Sequence, residues 1–278
     1  MAATTPALAS WLRSFEDDAE KARVLEIGKL TGLKEQGERY FPANFERALL
    51  LREVIRRRKP KRVLELGTGR GLGILAMADQ VQALGYLAEL LSVDIIAPAA
   101  KQKWPICLVG EHSSEVRSVD EVWSKHFPEL RAGIKLRTGA TTTVLPAIFK
   151  EGRKFDFIFI DAGHDVYSVF HDFAYSCLLL AGDGEILMDD FAPTEPFGLG
   201  TCIIAAHAAR VFEQVDIIES NGLVFDESYL GFTRGMVHLA GKKSATLELD
   251  SVSLLAARVL GKAVEGLFHP KLLPVRLS

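Results

Sequence analysis

Four side chains in this 278-residue sequence have the types and spacing to do chemistry together: Asp161, His164, Asp189 and Asp190. Asp161 ends the apolar run Phe155–Ile160, and His164 follows it three positions later. Asp189 and Asp190 end a second apolar run, Glu185–Met188, beyond a turn at Gly182-Asp183-Gly184. Both runs read as buried strands of one parallel sheet, which would bring three carboxylates to one edge. Such a cluster repels itself unless a proton or a cation intervenes. All three ligands are hard oxygens with no cysteine nearby, which suits Mg²⁺, Mn²⁺ or Ca²⁺ over zinc. A neutral histidine, with an ordinary pKa of about 6.5, can accept a proton beside them. Each residue also has a plainer reading: an aspartate at a strand end forms turns, and His164 could cap the next helix.

A second constellation lies upstream. Val63-Leu64-Glu65-Leu66 reads as a buried strand, Gly67, Gly69 and Gly71 follow at alternate positions, and Ile74–Ala78 opens a helix. Glycine lets such a loop turn tightly and lets a ligand lie on bare backbone. Strand, glycine loop and helix is how α/β proteins hold nucleotide-like cofactors. The dinucleotide spacing G-x-G-x-x-G fits poorly, since its third glycine falls on Leu72 or Ile74. A further strand, Leu91–Ile95, carries Asp94 near its end, and Ile134–Arg137 precedes Gly139-Ala140-Thr141.

The pattern acidic-x-Gly-x-Gly-x-Gly, from Glu65 to Gly71, resembles the first motif of class I S-adenosylmethionine (SAM) methyltransferases. The resemblance implies that Glu65, Gly67, Thr68, Gly69 and Gly71 face the methionine part of the cofactor. It also implies that Asp94 accepts hydrogen bonds from the ribose hydroxyls, that Gly139, Ala140 and Thr141 flank the adenine, and that Asp161 borders the cofactor. With Asp161 after the fourth strand and Asp189-Asp190 after the fifth, the chain is similar to the metal-dependent O-methyltransferases of the catechol O-methyltransferase type, and more so to their bacterial small-molecule relatives. That likeness spans roughly residues 40–240. It implies Asp161, Asp189 and Asp190 as ligands of a divalent metal, Mg²⁺ first, with Asp161 and His164 as the catalytic pair. The catechol enzyme has a lysine where this chain has His164, so the identity of the base is the point of departure.

The elements that must position these residues form an expected α/β fold. It is a Rossmann-like, doubly wound, mostly parallel seven-stranded sheet with helices on both faces and helical extensions at both ends. The expected division is a helical extension over 1–40, a SAM-binding domain over 41–240 and a second extension over 241–278. Ala43–Arg58 is an amphipathic helix ending before Pro60. Further helices are expected over 167–180, 201–213 and 250–267, and strands over Val215–Glu219 and Leu230–Leu239. The connection 96–133, holding Trp104, Pro105, Trp123 and Phe127, is long for a crossover. It reads either as a lid or acceptor pocket, or as a surface helix stapled by aromatics. His171 and Asp172 are expected on the surface of the 167–180 helix, with Asp165 at its favourable N-terminal end.

Composition agrees with an enzyme of this class. A net charge of −3 gives no global attraction to nucleic acid or acidic membranes. Three scattered cysteines do not make a disulfide framework, so a reducing cytoplasm is the expected compartment. No apolar run is long enough for a membrane span, and the N-terminus lacks the form of a secretory signal. The expected activity is SAM-dependent methyl transfer to a hydroxyl of a small molecule, with no nucleic-acid partner and with a homodimer through an extension as an option. Two alternatives stand beside it. The basic run Arg56–Arg62 could grip phosphate, which would fit a metal-independent methyltransferase acting on RNA or another macromolecule, although cations also suit a solvated helix C-terminus. The other is a SAM-binding protein without catalysis.

Overall fold

The computed structural model describes residues 18–36, 39–42, 45–108, 110–219 and 235–243. The expected helix over 250–267, the start of the strand at Leu230 and the first part of the N-terminal extension lie outside the described residues. The described chain begins with helix α1 (Asp18–Thr31), strands β1 (Leu33–Gln36) and β2 (Arg39–Pro42), and helix α2 (Phe45–Arg58). There follow β3 (Arg62–Leu66), α3 (Leu72–Ala83), β4 (Glu89–Asp94), β5 (Gln102–Leu108), β6 (Glu111–Arg117), α4 (Val119–His126) and α5 (Pro128–Ala132). The last part holds β7 (Ile134–Thr138), α6 (Thr141–Lys150), β8 (Phe155–Ile160), α7 (Val166–Leu179), β9 (Leu180–Phe191), α8 (Leu199–Ala208), β10 (Phe212–Glu219) and β11 (Gly235–Lys242).

Seven strands form the main sheet in the order β10-β11-β9-β8-β3-β4-β7. The pairings from β9 through β7 are parallel, and β11 runs antiparallel between β9 and β10. Successive strands go one way from β3 to β4 and β7, and the other way to β8 and β9. The order therefore reverses between β3 and β8, where the crevice of an open α/β sheet lies.

The period of two along each strand divides the core. Val63, Phe157, Phe159 and Leu187 join α1, α2 and α3 in one cluster. Leu64, Leu66, Ile158, Ile160, Ile186 and Met188 join α6, α7 and α8 in the other. Parity then puts Glu65, Asp161, Glu185 and Asp189 on the α2 side. The N-terminal helix is keyed into this face: a Cβ on Gly28 would come within 2.0 Å of the Phe45 ring, and one on Gly32 within 3.0 Å. This notch at the end of α1 seats Phe45, the first residue of α2.

Several expectations are corrected. The connection 96–133 is neither a single surface helix nor a loose lid. It is the antiparallel hairpin β5–β6 followed by α4 and α5. Trp104 and Trp123 are fully buried, and their indole N–H groups donate to the carbonyls of Leu30 (2.5 Å) and Arg70 (3.0 Å). The Gly182–Gly184 turn lies within β9, where three extra residues bulge between the Phe155–Leu180 and Phe157–Glu185 pairs. The helix expected to reach 213 stops at Ala208 because β10 begins at Phe212. Asp172 is not on the surface of α7 but wholly buried, and His171 beside it is largely covered. Asp165 stands at the N-terminal end of α7 as expected, its carboxylate accepting from the Ser168 N–H at 3.0 Å and from the Ser168 hydroxyl at 2.5 Å. Those bonds to Ser168 hold its pKa below the usual range. Among the described residues no helix is long and apolar enough to cross a membrane.

Candidate functional site

Three backbone hydrogen bonds gather the loops at the carboxyl ends of the strands. Gly67 donates to Val93, Asp161 to Leu66, and Gly139 to Asp94, each at 2.8 Å. They draw the ends of β3, β4, β7 and β8 into one rim. Gly67, at φ +92°, leaves no room for a side chain, since a Cβ would lie 1.9 Å from the Asp161 carbonyl oxygen. Gly71, at φ +100°, is bound in the same way, because its Cβ would strike the Trp123 ring at 1.9 Å. Hence the 96–133 connection contributes a wall behind the glycine loop.

Above this rim opens a cleft of about 560 Å³, within the range typical of cofactor sites. Every residue named for the site from the sequence lines it, from Glu65 and Thr68 through Asp94 and Gly139–Thr141 to Asp161, His164, Asp189 and Asp190. Beneath the glycine loop the Ser92 hydroxyl donates to the Glu65 carboxylate and meets the Thr68 hydroxyl at 2.6 Å. Burial raises the Glu65 pKa to about 8, against the opposing pull of the Ser92 bond. Asp94 accepts from the Gly69 N–H at 2.7 Å and from the Ile96 N–H at 2.8 Å. A carboxylate offers about four lone-pair sites, so Asp94 retains capacity for a ligand's hydroxyls.

At the other end of the cleft, Asp161, Asp189 and Asp190 each bring one carboxylate oxygen within 4.8 Å of the others. That spacing and an all-oxygen donor set fit a hard divalent cation. Asp190 sits at φ +60°, in the left-handed region that few residues other than glycine adopt, though aspartate tolerates it better than most. Such backbone is characteristic of sites where orientation outweighs local cost. The Asp161 pKa is raised, first by burial and then by the charges of Asp189 and Asp190, with Arg47 opposing. His164, about half exposed, places Nδ1 2.8 Å from Asp190, and this hydrogen bond raises its pKa despite partial burial.

Two cations in the cleft were not foreseen from the sequence. Arg47, in the first turn of α2, sets Nη1 2.7 Å from Asp161 Oδ2 and also contacts Asp189, with its guanidinium over the Phe159 ring. Its signal was there to read: a helix N-terminus disfavours a cation, so an arginine in that turn calls for nearby acids. Arg70, inside the glycine loop, donates to the Leu33 carbonyl at 2.6 Å and lines the cleft. Among the described residues no carboxylate pairs with it, and burial lowers its pKa.

Residues 64–191 match the sequence profile of a family described as methyltransferase domain. O-methyltransferase hkm8 of Aspergillus hancockii is 29% identical over 133 residues, which make up 48% of this chain and 43% of that protein. The matched stretch thus spans less than half the length of this relative. Among solved structures, an O-methyltransferase from Bacillus cereus in complex with SAH superposes with a TM-score of 0.53 at 14% identity, covering 84% of this chain and 96% of that one. TomG from Streptomyces achromogenes, an O-methyltransferase involved in tomaymycin synthesis and solved in complex with SAM, gives 0.53 at 15% identity with the same coverage. At these identities the structural likeness is one of fold. Residues 64–191 thus match a methyltransferase domain, on a Rossmann-like fold shared with these solved structures.

Proposed function

We propose that this chain transfers the methyl group of SAM to a hydroxyl oxygen of a small molecule, with a divalent cation, Mg²⁺, held by Asp161, Asp189 and Asp190. The observation that carries the reading is the meeting of these three carboxylates and His164 at one end of a cleft whose other end is the glycine loop and Asp94. SAM supplies an electrophilic sulfonium methyl, and a divalent ion, when bound, adds Lewis-acid polarisation of the acceptor oxygen. The chain's own part is binding, orientation and proton transfer. Asp94 takes the ribose hydroxyls, Gly139–Thr141 flank the adenine, and Gly67, Gly69 and Gly71 present bare backbone to the methionine portion. Arg70 offers its remaining donors to the methionine carboxylate, in keeping with a partly buried cation that has no acidic partner among the described residues.

Proton transfer falls to His164. With Nδ1–H donating to Asp190, the lone pair lies on Nε2, which becomes the acceptor for the hydroxyl proton. Asp190 then acts on the ring as an orienting partner. Holding acceptor and methyl in line within the cleft accounts for much of the rate such a site can generate.

A small acceptor is favoured by the fate of the basic run. Arg56 and Arg57 pair with the buried Glu53, Arg58 lies 3.0 Å from Glu185, and Arg62 lies 3.0 Å from Asp156. These cations neutralise the chain's own acids rather than forming a phosphate-binding stripe. The test is transfer of a labelled methyl from SAM to a panel of phenols, catechols and sugar or polyketide hydroxyls, in Mg²⁺ and in EDTA. Transfer in Mg²⁺, its loss in EDTA and its return on adding Mg²⁺ are the expected outcomes. Equal rates in both conditions would remove the metal, and an absence of SAM binding by calorimetry would remove the methyltransferase activity itself.

A further inference from the structure

Arg47 occupies ground that a metal would need. Its Nη1 lies 2.7 Å from Asp161 Oδ2 and also contacts Asp189, two of the three carboxylates that converge within 4.8 Å. The side chain is 11% exposed and its guanidinium lies 5.6 Å from the centre of the Phe159 ring. Phe159 is itself buried, so the cation is screened little by solvent. The position of Arg47 is not set by the acids alone. Phe45, two residues earlier, is locked into the Gly28–Gly32 notch of α1, and this packing delivers the first turn of α2 to the rim.

We propose that Arg47 is the site's built-in cation and competes with a divalent ion for Asp161 and Asp189. The inference rests on the metal-assisted reading above and goes beyond it. In the ion-free protein Arg47 bridges the two carboxylates and keeps them from driving one another apart. An ion that takes oxygens from the same two residues stands within a few ångströms of the guanidinium, and both charges are positive. At that range in a partly buried setting the repulsion is worth about tenfold in affinity or more. Loading therefore requires the guanidinium to release at least one carboxylate. The free protein accordingly binds the ion weakly and stays folded without it.

The test is Mn²⁺ titration of the whole chain, following free Mn²⁺ by electron paramagnetic resonance, in wild type, Arg47→Met, Arg47→Gln and Arg47→Lys. S-adenosylhomocysteine affinity is measured in each, to show that the cleft is intact. Both neutral variants should bind Mn²⁺ with a Kd about tenfold lower or more, while Arg47→Lys, which keeps the charge but not the planar fork, stays closer to wild type than either. In EDTA the neutral variants should also melt earlier than wild type, with Mn²⁺ restoring them. If wild type and the neutral variants bind Mn²⁺ equally, competition is overturned and the metal-assisted reading survives. If none of the four binds Mn²⁺ while all bind S-adenosylhomocysteine, the metal-assisted reading falls and competition falls with it.

Discussion

Arg47 and Arg58 stand at opposite ends of α2, and each meets a carboxylate from the same face of β9, Asp189 and Glu185 respectively. The geometry is simple: the helix rises about 16 Å between its two arginines, and the strand about 13 Å between its two acids. The chemistry at the two ends nevertheless diverges. At the Arg58 end, the helix C-terminus favours a cation. There Glu185 also meets His238 Nε2 at 3.0 Å, and His238 Nδ1 lies 3.5 Å from Asp216. Among the described residues two carboxylates face an arginine and a histidine, so their charges balance. At the Arg47 end, the helix N-terminus disfavours the cation, three carboxylates converge, and the cluster opens into the cleft. Residue types match at the two ends, while charge balance among the described residues and access do not. A surplus of acid beside an opening is what calls for a ligand, whereas a balanced cluster ties strands together.

The sharpest way to break this contrast is to neutralise one acid at each end. Asp189→Asn should lower methyl transfer about 100-fold or more while changing S-adenosylhomocysteine affinity little, because it replaces an anionic ligand with a neutral amide and leaves the cofactor's end of the cleft alone. Turnover under saturating SAM, alongside calorimetry, measures both. A variant as active as wild type would mean that the acidic rim is as structural as the Glu185 cluster.

The balanced end should respond in the opposite currency. Glu185→Ala leaves His238 and Arg58 without a shared acceptor and should cost about 2 kcal/mol of stability in urea unfolding, with kcat preserved in the folded fraction. Its pH behaviour follows from His238. Burial alone would lower that pKa, but the neighbouring carboxylates of Asp216 and Glu185 outweigh it and the net shift is upward. A group whose folded pKa is raised contributes fully below its unfolded value, about 6.5, and that contribution fades as pH rises through the folded value. Stability of the wild type should thus decline from pH 6.5 towards 9 more steeply than that of Glu185→Ala. Parallel curves would show that the cluster does not hold the histidine's proton.

The same two regions show what could be read from the sequence. Strand ends were legible, because an apolar run closed by Asp161 or Asp189-Asp190 is a local pattern, and so is a glycine loop behind Glu65. The parallel sheet and the gathering of these residues at one cleft followed from that pattern. Ion pairs across the fold were not legible, since nothing local links Arg47 to Asp189 or Glu185 to His238. The hairpin was missed for a related reason: Glu111–Arg117 is polar but for Val116 and becomes a strand by pairing with β5. Asp172 defeated the rule that charged residues face outward, since it lies on α7 among Val169, Phe173 and Ser176 and is wholly buried.

The smallest expected effect concerns Arg70, which differs from Arg47 in having no carboxylate partner among the described residues. If its donors serve the cofactor's methionine carboxylate, Arg70→Gln should weaken S-adenosylhomocysteine binding about tenfold, the size of one charge-assisted hydrogen bond. A general loosening of the loop would give the same number, so a second ligand is needed. The decarboxylated analogue of S-adenosylhomocysteine lacks the group Arg70 would hold. Wild type should prefer the carboxylated ligand, and in Arg70→Gln that preference should largely vanish while affinity for the analogue stays nearly constant. If both ligands weaken equally, Arg70 acts through its bond to the Leu33 carbonyl, bracing the loop against β1 rather than binding the cofactor.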